Sequence, residues 1–523
     1  MIDGGSNMQN DPLVLTLDFG TQSVRASLIN KRGETVYIAK KAYEPMYFSN
    51  KKGYAEQHAD FYWENVVECM KQVSAAKPNE LSNIVAMTVS SFRDSAVLLD
   101  KNYKPVRPVI LWLDQRLAKA EEKLPAIHRF LFKLVGMKDT IDMNRTRTMA
   151  HWVKENEPET WAKVEKYVNI STYINYKLSG ELADSPSGLT GHYPLNYKAR
   201  KWYKEGAMKG RIFGIPNRML PNLVQAGGVI GTLKDDVAEE VGLPKGIKLI
   251  ATGSDKGCET IGLGCLSPDV GAISYGTACT IEVCNKNYHE PEPFLPAYPA
   301  AVPGLYSMEV QIYRGYWMLR WFASEFAGEL EKEARLRDVA IETILDEWLE
   351  DIPAGCDGLI LQPYWGPGLA RPLAKGAMVG FSNVHTRKHM YRAIVEGIAF
   401  AIREGLESIE KSQGHKVKSL RISGGGSLSD NVCQITADIF GLEISRVQTI
   451  ESTSLGEAIA TFAAVGEFKD VDEAVKNMTK ITQTFKPNEE NHLLYDRIYH
   501  NVYLKLYPRL KPINDTINDI FKR

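Results

Sequence analysis

A carboxylate stands beside a glycine turn near the start of the chain. Residues 14–29 read VLTLDFGTQSVRASLI, where Asp18 comes just before Gly20 and two apolar runs flank the turn. Because glycine takes the φ angles of a tight hairpin, this stretch predicts two strands joined by a Gly-Thr turn. Residues 271–283, GAISYGTACTIEV, repeat the pattern. The repeat indicates either two similar halves that each begin with a hairpin or a chance recurrence of Gly-Thr turns.

Glycine turns of this kind suit phosphate, because they expose backbone N–H groups that bind phosphate oxygens. The chain has three candidates, at 18–23, 275–279 and 423–429. It has no GxxxxGK[ST] loop and no GxGxxG that opens a βαβ unit, so neither of those nucleotide fingerprints is present. Three such turns in one chain, two of them repeated, favour phosphate binding over a purely structural role.

A second carboxylate follows a predicted strand end. In residues 251–264, ATGSDKGCETIGLG, Asp255 comes two small residues after the strand. A carboxylate at the carboxyl end of a strand is placed for chemistry. The alternative is that Asp255 only caps the next helix.

The elements around these residues alternate between strand and helix, which indicates the α/β class. The apolar spacing predicts strands at 84–91, 95–100 and 419–423, and helices at 60–73, 148–164, 389–411, 429–441 and 452–468. The last helix is rich in glycine and alanine, which predicts close backbone packing. A helical stripe is also expected over 494–510.

Bulk properties exclude several classes of protein. A chain of 523 residues predicts two or three domains, and a net charge of −1 gives no reason to expect nucleic acid or an anionic membrane as a partner. No apolar run approaches a membrane span, and the polar stretch 1–11 predicts a loose tail rather than a signal peptide. Seven cysteines without a C-x-x-C pair or a zinc spacing predict reduced thiols in a cytoplasmic protein.

Four segments together resemble the FGGY carbohydrate kinases: DFGTQSVRA, TGSDKG, SYGTACT and SGGGSLSDNVCQITADIFG. The match runs in the family's order from about residue 13 to residue 466. The resemblance implies two actin-like (ribonuclease H-like) α/β domains that flank a catalytic cleft. On this basis we expect a sugar-binding N-terminal domain at 12–255, a nucleotide-binding C-terminal domain at 256–480, and a helical tail at 481–523 that packs back on the domains.

The resemblance also implies roles for individual residues, with ATP and magnesium as cofactors. Asp255 resembles the general base, and Asp18 the aspartate that positions magnesium through water. Phosphoryl transfer needs positioning and charge neutralisation more than covalent help, which these residue types can supply. The residues that match the nucleotide-binding motifs are Thr21, Gln22, Ser23, Arg25, Gly276, Thr277, Gly424, Gly425 and Ser429.

The acceptor is less sharply indicated. Arg93 and Asp94 stand where the family contacts sugar or polyol hydroxyls, and together with Asp255 and Lys256 they are the expected substrate-binding residues. Lys256 stands where glycerol kinases carry glutamine, and the 361–372 loop departs from xylulokinases. We therefore expect a pentulose, another ketose or a polyol. The alternative for Arg93 and Asp94 is a surface ion pair of little energetic value.

Several other residues receive weaker or no assignments. Glu56 and Gln57 are weaker candidates for the site. No role is assigned to His58, His192, Trp112, Trp152, Trp317 or Trp321.

Two other classes of function remain open from the sequence. One is an actin-like ATPase that acts as a mechanical switch, and the other is a catalytically inactive family member that senses sugar. Arg93, Asp94 and Asp255 argue against the first, and Asp18, Asp255 and the glycine turns argue against the second. The expected partner is a small sugar or polyol rather than nucleic acid or membrane, and a homodimer is left open by analogy with the family.

Overall fold

The computed structural model describes residues 11–292, 295–366, 368, 371 and 373–521. The loose N-terminal tail predicted at 1–11 therefore lies outside the described residues except for Asp11. The loop at 361–372 lies partly outside them. Contacts divide the chain into two compact units. Unit 1 comprises the described residues up to Gly264 together with Tyr298–Tyr306 and Glu451–Lys480, and unit 2 comprises the described residues of Cys265–Ala297, Ser307–Ile450 and from Ile481 onward.

The helices are α1 Ala59–Ala76, α2 Ala126–Leu134, α3 Lys138–Arg147, α4 Met149–Asn156, α5 Pro158–Trp161, α6 Ile170–Ser179, α7 Asp235–Val241, α8 Asp255–Gly262, α9 Trp317–Phe326, α10 Leu330–Arg337, α11 Ile341–Glu350, α12 Arg387–Gln413, α13 Asp430–Phe440, α14 Ser452–Ala464, α15 Val471–Met478, α16 Glu489–Ile498 and α17 Leu504–Ile520.

The strands are β1 Leu13–Phe19, β2 Ser23–Asn30, β3 Thr35–Ala42, β4 Glu56–Gln57, β5 Ile84–Ser91, β6 Ala96–Leu99, β7 Val109–Ile110, β8 Lys166–Asn169, β9 Ala183–Asp184, β10 Leu195–Asn196, β11 Lys201–Trp202, β12 Asn222–Leu223, β13 Val229–Thr232, β14 Lys248–Ile250, β15 Val270–Tyr275, β16 Cys279–Asn285, β17 Tyr298–Pro299, β18 Tyr306–Ile312, β19 Ile360–Gln362, β20 Ala377–Val379, β21 Ser419–Ser423, β22 Ile444–Val447 and β23 Ile481–Phe485.

Unit 1 is built on a sheet with the strand order β13-β14-β5-β1-β2-β3. The hairpin strands β1 and β2 are antiparallel, whereas β1, β5 and β14 run parallel and β13 returns antiparallel at the edge. Every residue of β1 is buried. Buried residues of the sheet and of α1, α6 and α7 form one hydrophobic core, as a sheet covered by helices requires.

Unit 2 repeats this topology. In its sheet the strands follow the order β18-β16-β15-β21-β22-β23. β15 pairs antiparallel with β16 and parallel with β21, β21 pairs parallel with β22, and β23 returns antiparallel. The two Gly-Thr hairpins thus occupy equivalent places in two sheets of the same design. The interpretation of the repeat as two similar α/β halves is confirmed, and chance recurrence is excluded.

Most predicted elements are present with small shifts at their ends. The main exception is the helix expected over 148–164, which is divided into α4 and α5. Pro158 is the first residue of α5, and Glu157 before it leaves the helical region at φ −135°. Proline restricts the preceding residue and lacks an N–H, so the helix stops and restarts there.

The predicted domain limits, 255/256 and 480/481, stay predictions, but the contacts group three segments differently. Helix α8, the segment Tyr298–Tyr306 and the pair α14–α15 belong to unit 1. Residues after 480 begin with β23, an edge strand of the unit 2 sheet, before the helices α16 and α17. The expected helical stripe over 494–510 lies in these helices and in a π-helical turn at Tyr499–Tyr503.

All seven cysteines are buried, free thiols. Among the described residues, no helix is long and apolar enough to cross a membrane.

Candidate active site

The first hairpin holds its turn through backbone and side-chain contacts. The Gly20 N–H donates to the Ser23 carbonyl at 3.0 Å, which closes the turn between β1 and β2. The Thr21 hydroxyl accepts a hydrogen bond of 3.1 Å from the indole Nε1 of Trp112. Trp112, to which the sequence assigned no role, therefore orients a residue of the predicted phosphate turn.

Asp18 lies at the end of β1, opposite Arg25 on β2, and is only 5 % exposed. One carboxylate oxygen lies 3.5 Å from the Arg25 guanidinium, and the other accepts a hydrogen bond of 3.5 Å from the Ser90 hydroxyl. Burial raises the pKa of Asp18 to about 7. Arg25 lowers that pKa, while the carboxylates of Asp255, Glu451 and Glu259 raise it.

Two glutamates around α14 add to this negative charge. A carboxylate oxygen of Glu451 lies 2.6 Å from Nε of Arg25, so Glu451 is the second acidic partner of that guanidinium. Glu457 is 0 % exposed, and among the described residues neither of its carboxyl oxygens has a hydrogen-bond partner of normal geometry. Burial, with the charges of Asp18 and Asp255, raises the pKa of Glu457 well above its ordinary value.

These carboxylates fit a hard divalent cation. Within the described residues, no three acidic, histidine or cysteine side chains are arranged as a ready set of metal ligands. Magnesium does not need such a set, because it binds through one or two carboxylates and keeps its waters. The raised pKa values of Asp18 and Glu457 reflect the cost of burying negative charge, which a bound cation would relieve.

Asp255 is the first residue of α8, and its neighbour takes the capping role. The Ser254 hydroxyl accepts from the Gly257 N–H, so Ser254 is the N-cap. Asp255 uses one carboxylate oxygen, at 2.8 Å from the Lys256 N–H, and the side chain is half-buried. Burial raises the pKa of Asp255, whereas Lys256 and Arg93 lower it. The capping alternative is therefore wrong.

Lys256 also faces an acidic partner. Its Nζ lies 2.7 Å from a carboxylate oxygen of Glu259, one turn further along α8. Glu259 is among the carboxylates that raise the pKa of Asp18. The predicted base and the predicted metal-positioning residue therefore act on each other electrostatically within unit 1.

Helices α8 and α14 pack at backbone distance, as the small residues of α14 predict. A Cβ on Gly456 would lie 1.8 Å from the Cys258 carbonyl oxygen, and a Cβ on Gly262 would lie 1.9 Å from the Ser452 carbonyl oxygen. Only glycine fits at such distances. This contact fixes the helix that carries Asp255 against the helix that carries Glu457.

The predicted acceptor pair, Arg93 and Asp94, follows β5 and is half-buried. The Arg93 guanidinium lies 5.6 Å above the Tyr298 ring, and its charge lowers the pKa of Asp255. Asp94 is bonded by His192 through both carboxylate oxygens, at 2.9 Å from the backbone N–H and 2.6 Å from Nδ1. The sequence assigned His192 no role, and no local pattern links two residues so far apart.

The weaker candidates have other partners. Glu56 forms ion pairs with Arg107 at 2.6 Å and with Arg116 at 2.8 Å, and Gln57 donates to the Pro45 carbonyl. These contacts give both residues a structural role at the β4–β7 ribbon.

Unit 2 brings the second hairpin and the 423–429 turn together. Gly276 and Thr277 connect β15 and β16, and their carbonyls accept from the backbone N–H groups of Tyr316 and Trp317. Gly424 has a φ of +84°, and a Cβ there would lie 2.7 Å from the backbone of Tyr275. The two glycine turns are therefore in direct contact at the ends of the adjacent parallel strands β15 and β21.

Gly425 and Ser429 differ in what they face. A Cβ on Gly425 would meet nothing within 4 Å, so this glycine borders open space. Ser429 caps α13 by accepting from the Val432 N–H at 2.9 Å, and its hydroxyl donates to Asp346. Ser429 thus shapes the turn, while Gly425 leaves room beside it.

Comparison with known proteins identifies the family. The family model for the N-terminal domain of the FGGY family of carbohydrate kinases matches residues 13–262. The model for the C-terminal domain of the same family matches residues 271–465. The chain belongs to the FGGY family of carbohydrate kinases. It is therefore a phosphotransferase of the kind that uses ATP to phosphorylate a carbohydrate, as the sequence predicted.

Individual relatives agree with this assignment. The chain is 29 % identical over 497 residues to the xylulose kinase of Lactococcus lactis, covering 93 % of this chain and 95 % of that protein. Its fold is similar to the ligand-bound xylulose kinase of Lactobacillus acidophilus, with a TM-score of 0.82, 23 % identity and coverage of 97 % and 100 %. It is also similar to the gluconate kinase of the same organism, with a TM-score of 0.81, 22 % identity and coverage of 96 % and 98 %. The two-domain kinase fold is confirmed.

Proposed function

We propose that this FGGY kinase transfers the γ-phosphoryl group of magnesium-ATP to a hydroxyl of a pentulose, another ketose or a polyol, with Asp255 as the general base. In this reaction the acceptor oxygen bonds to the γ-phosphorus, the bond to the leaving ADP oxygen breaks, and the hydroxyl proton passes to Asp255. The relatives named as xylulose kinases support a ketose acceptor. The gluconate kinase adds sugar acids to the candidates worth testing.

One observation carries the proposal. Ser254 caps α8, so the helix uses only one oxygen of the Asp255 carboxylate. One oxygen receives the Lys256 N–H, which leaves lone pairs on the other oxygen for a substrate proton. The pKa of Asp255 is raised by burial, which makes the ionised carboxylate a stronger proton acceptor than an exposed aspartate.

Two cationic side chains on the same unit balance that base. Arg93 and Lys256 both lower the pKa of Asp255, so they help to keep it ionised near neutral pH. Arg93 also presents guanidinium donors suited to acceptor hydroxyls.

The glycine turns of both units support nucleotide binding. Thr21, Gln22, Ser23 and Arg25 at the first hairpin, with Gly276, Thr277, Gly424, Gly425 and Ser429 in unit 2, are the proposed nucleotide-binding residues. The backbone N–H groups of such turns neutralise phosphate charge without reorganisation during the reaction. The open space beside Gly425 agrees with a ligand at that turn.

Asp18 is the proposed metal-positioning residue, with Glu451 holding Arg25 beside it. A bound magnesium ion would supply positive charge next to the phosphate oxygens. The contribution of the chain is to hold the Asp18 carboxylate at the end of β1 by the Ser90 hydroxyl and the Arg25 guanidinium.

The test is a coupled assay for ADP release with magnesium-ATP and a panel of pentuloses, hexuloses, aldoses, aldonates, pentitols, tetritols and glycerol. We expect one class of acceptor to exceed the ATP-only rate, and Asp255→Asn to lower that rate by about 10²–10⁴-fold. The matched control is Asp235→Asn, which alters an exposed aspartate at the same position of α7.

The outcomes separate the proposal from its rivals. No acceptor-dependent rate in a protein that hydrolyses ATP would favour the mechanical ATPase. Binding of a sugar without any phosphorylation would favour the sensing role. An acceptor-dependent rate that survives in Asp255→Asn would remove Asp255 as the base.

A further inference from the structure

Asp94 is held in an uncommon conformation by its partner. Its φ is +59°, in the left-handed region that few residues other than glycine adopt. Both carboxylate oxygens are occupied by His192, one by the backbone N–H at 2.9 Å and one by Nδ1 at 2.6 Å. Strained backbone held in place by specific contacts occurs preferentially at functional sites.

The loop that carries His192 is fitted to this contact. Gly191 has a φ of +119°, and a Cβ there would lie 2.7 Å from the Asp94 carboxylate oxygen, so the approach requires glycine. Earlier in the loop, the Ser187 carbonyl accepts from the Ser254 N–H at 3.1 Å. One short loop is thus bonded at one end to the residue before the proposed base and at the other end to Asp94.

The charge of Asp94 determines which atoms of His192 are donors. Burial alone would raise the pKa of Asp94, but the hydrogen bonds and charge of His192, with the charge of Arg93, hold it below its ordinary value. An ionised carboxylate only accepts hydrogen bonds, so Nδ1 carries the proton. Nε2 is then an acceptor when the imidazole is neutral and a donor when it is protonated, and a carbohydrate hydroxyl can pair with it in either state.

The His192 ring is partly exposed, and its second nitrogen has no protein partner. The side chain is 17 % exposed, and within the described part of the chain Nε2 makes no hydrogen bond. Phe213 lies edge-on to the ring, at 6.5 Å between centroids. A ring nitrogen with a fixed orientation is therefore left for a ligand.

We propose that His192 is the direct acceptor-binding residue of this pair: its Nε2 forms a hydrogen bond with a hydroxyl of the carbohydrate, and Asp94 is a positioning residue that orients the ring. This rests on the proposed kinase function and changes one expected role, because Asp94 acts through His192. With Arg93 as a donor beside it, the site recognises neighbouring hydroxyls.

The experiment compares wild-type protein with His192→Ala, His192→Gln and Asp94→Asn, using the acceptor found in the panel. We expect His192→Ala to raise the KM for the acceptor by about 10- to 100-fold while the KM for ATP stays within two-fold. Asp94→Asn should give a smaller rise, since the amide oxygen of the new side chain can still accept from the ring. His58→Gln, an exposed histidine of unit 1, is the matched control.

Deoxy analogues locate the contact. Removal of the hydroxyl that pairs with Nε2 should cost wild-type protein at least ten-fold in kcat/KM but cost His192→Ala little, because the two losses share one hydrogen bond. Equal losses in both proteins for every deoxy analogue, or an unchanged acceptor KM in the His192 variants, would overturn the proposal.

A binding measurement separates this inference from the kinase proposal. Protein labelled with ¹⁵N in its histidines is titrated with the same panel, and the His192 signals are assigned by their absence in His192→Gln. We expect the acceptor to shift the Nε2 resonance of His192. A wild-type enzyme that phosphorylates an acceptor without any such shift refutes only this inference. If no compound is phosphorylated, the kinase proposal fails, and a silent Nε2 resonance across the panel overturns this inference as well.

Discussion

Replacement of Asp18 by asparagine is expected to stabilise the metal-free protein at pH 8 and to leave its stability almost unchanged near pH 4. The pKa of Asp18 is raised from 3.8 to about 7, chiefly by burial. The folded protein therefore binds this proton more tightly than the unfolded chain does. The contribution of Asp18 to the free energy of unfolding is fully present below about pH 4. It is lost as the pH rises through about 7, because Asp18 then has to ionise in the buried site.

The size of this stability change follows from the difference between the folded and unfolded pKa values of Asp18. A rise from 3.8 to about 7 corresponds to about 4 kcal/mol of unfolding free energy, which is an upper value because neighbouring carboxylates share the titration. Asparagine has nearly the same shape but carries no charge, so it avoids this cost. At roughly 2 °C per kcal/mol for a unit of this size, the apparent melting temperature should rise by up to roughly 8 °C.

The assay is thermal unfolding of both proteins in EDTA from pH 4.5 to 8.5, followed by addition of magnesium or manganese at pH 8. Other groups titrate in both proteins, so the difference between them reports Asp18 together with the carboxylates that interact with it. Divalent cations should raise the melting temperature of the wild type and affect Asp18→Asn little, because the cation relieves the same charge. Asp235→Asn is the control for loss of a carboxylate and should show no pH-dependent difference.

A melting-temperature difference that is constant from pH 5 to pH 8 would refute the reasoning. So would an Asp18→Asn protein that is less stable than the wild type at pH 8. Either result would mean that the contact of 3.5 Å with Arg25 outweighs the burial of the carboxylate.

Three further predictions concern activity and ligand binding. The kcat/KM for the acceptor should fall as the pH drops below the raised pKa of Asp255, because a general base must be ionised, and this acidic limb should lie at a higher pH than an ordinary aspartate would give. Gly456→Ala should lower both the melting temperature and the activity in the same assays, since its Cβ would lie 1.8 Å from a carbonyl oxygen of the helix that carries Asp255. Gly424→Ala should destabilise the protein by about 1–3 kcal/mol, whereas Gly425→Ala should fold normally and weaken only nucleotide binding, as measured by unfolding and by calorimetry.

Local sequence patterns predicted those features of the fold that neighbouring residues determine. The two hairpins and the α/β class follow from apolar spacing. The ends of α13 follow from its N-cap residue and from Gly441, which ends the helix. Ser254 and Asp255 show the limit of such reasoning. Both are good capping residues and they are adjacent, so the sequence cannot decide which of them caps α8 and which remains available for chemistry.

Contacts between distant segments lay beyond the sequence. His192 meets Asp94 across 98 positions, and Trp112 meets Thr21 across 91. Glu457 lies in a helix predicted from its apolar spacing, and nothing in its neighbours indicates complete burial beside Asp18. These pairings depend on how strands are ordered in the sheet, and periodicity reports only which face of an element is buried.

The two hairpins share a topology but have different electrostatics. Asp18 in LDFGT corresponds to Ser274 in ISYGT, and both residues are buried on the central strand that precedes a Gly-Thr turn. At this position before the turn, the first hairpin carries a buried carboxylate, held by Arg25 and the Ser90 hydroxyl, and the second carries a hydroxyl. A carboxylate is useful beside phosphate only when a cation lies between them, because otherwise the two anions repel each other. We infer that the second hairpin acts through its backbone alone, and that Ser274→Asp would weaken nucleotide binding rather than add a second cation site.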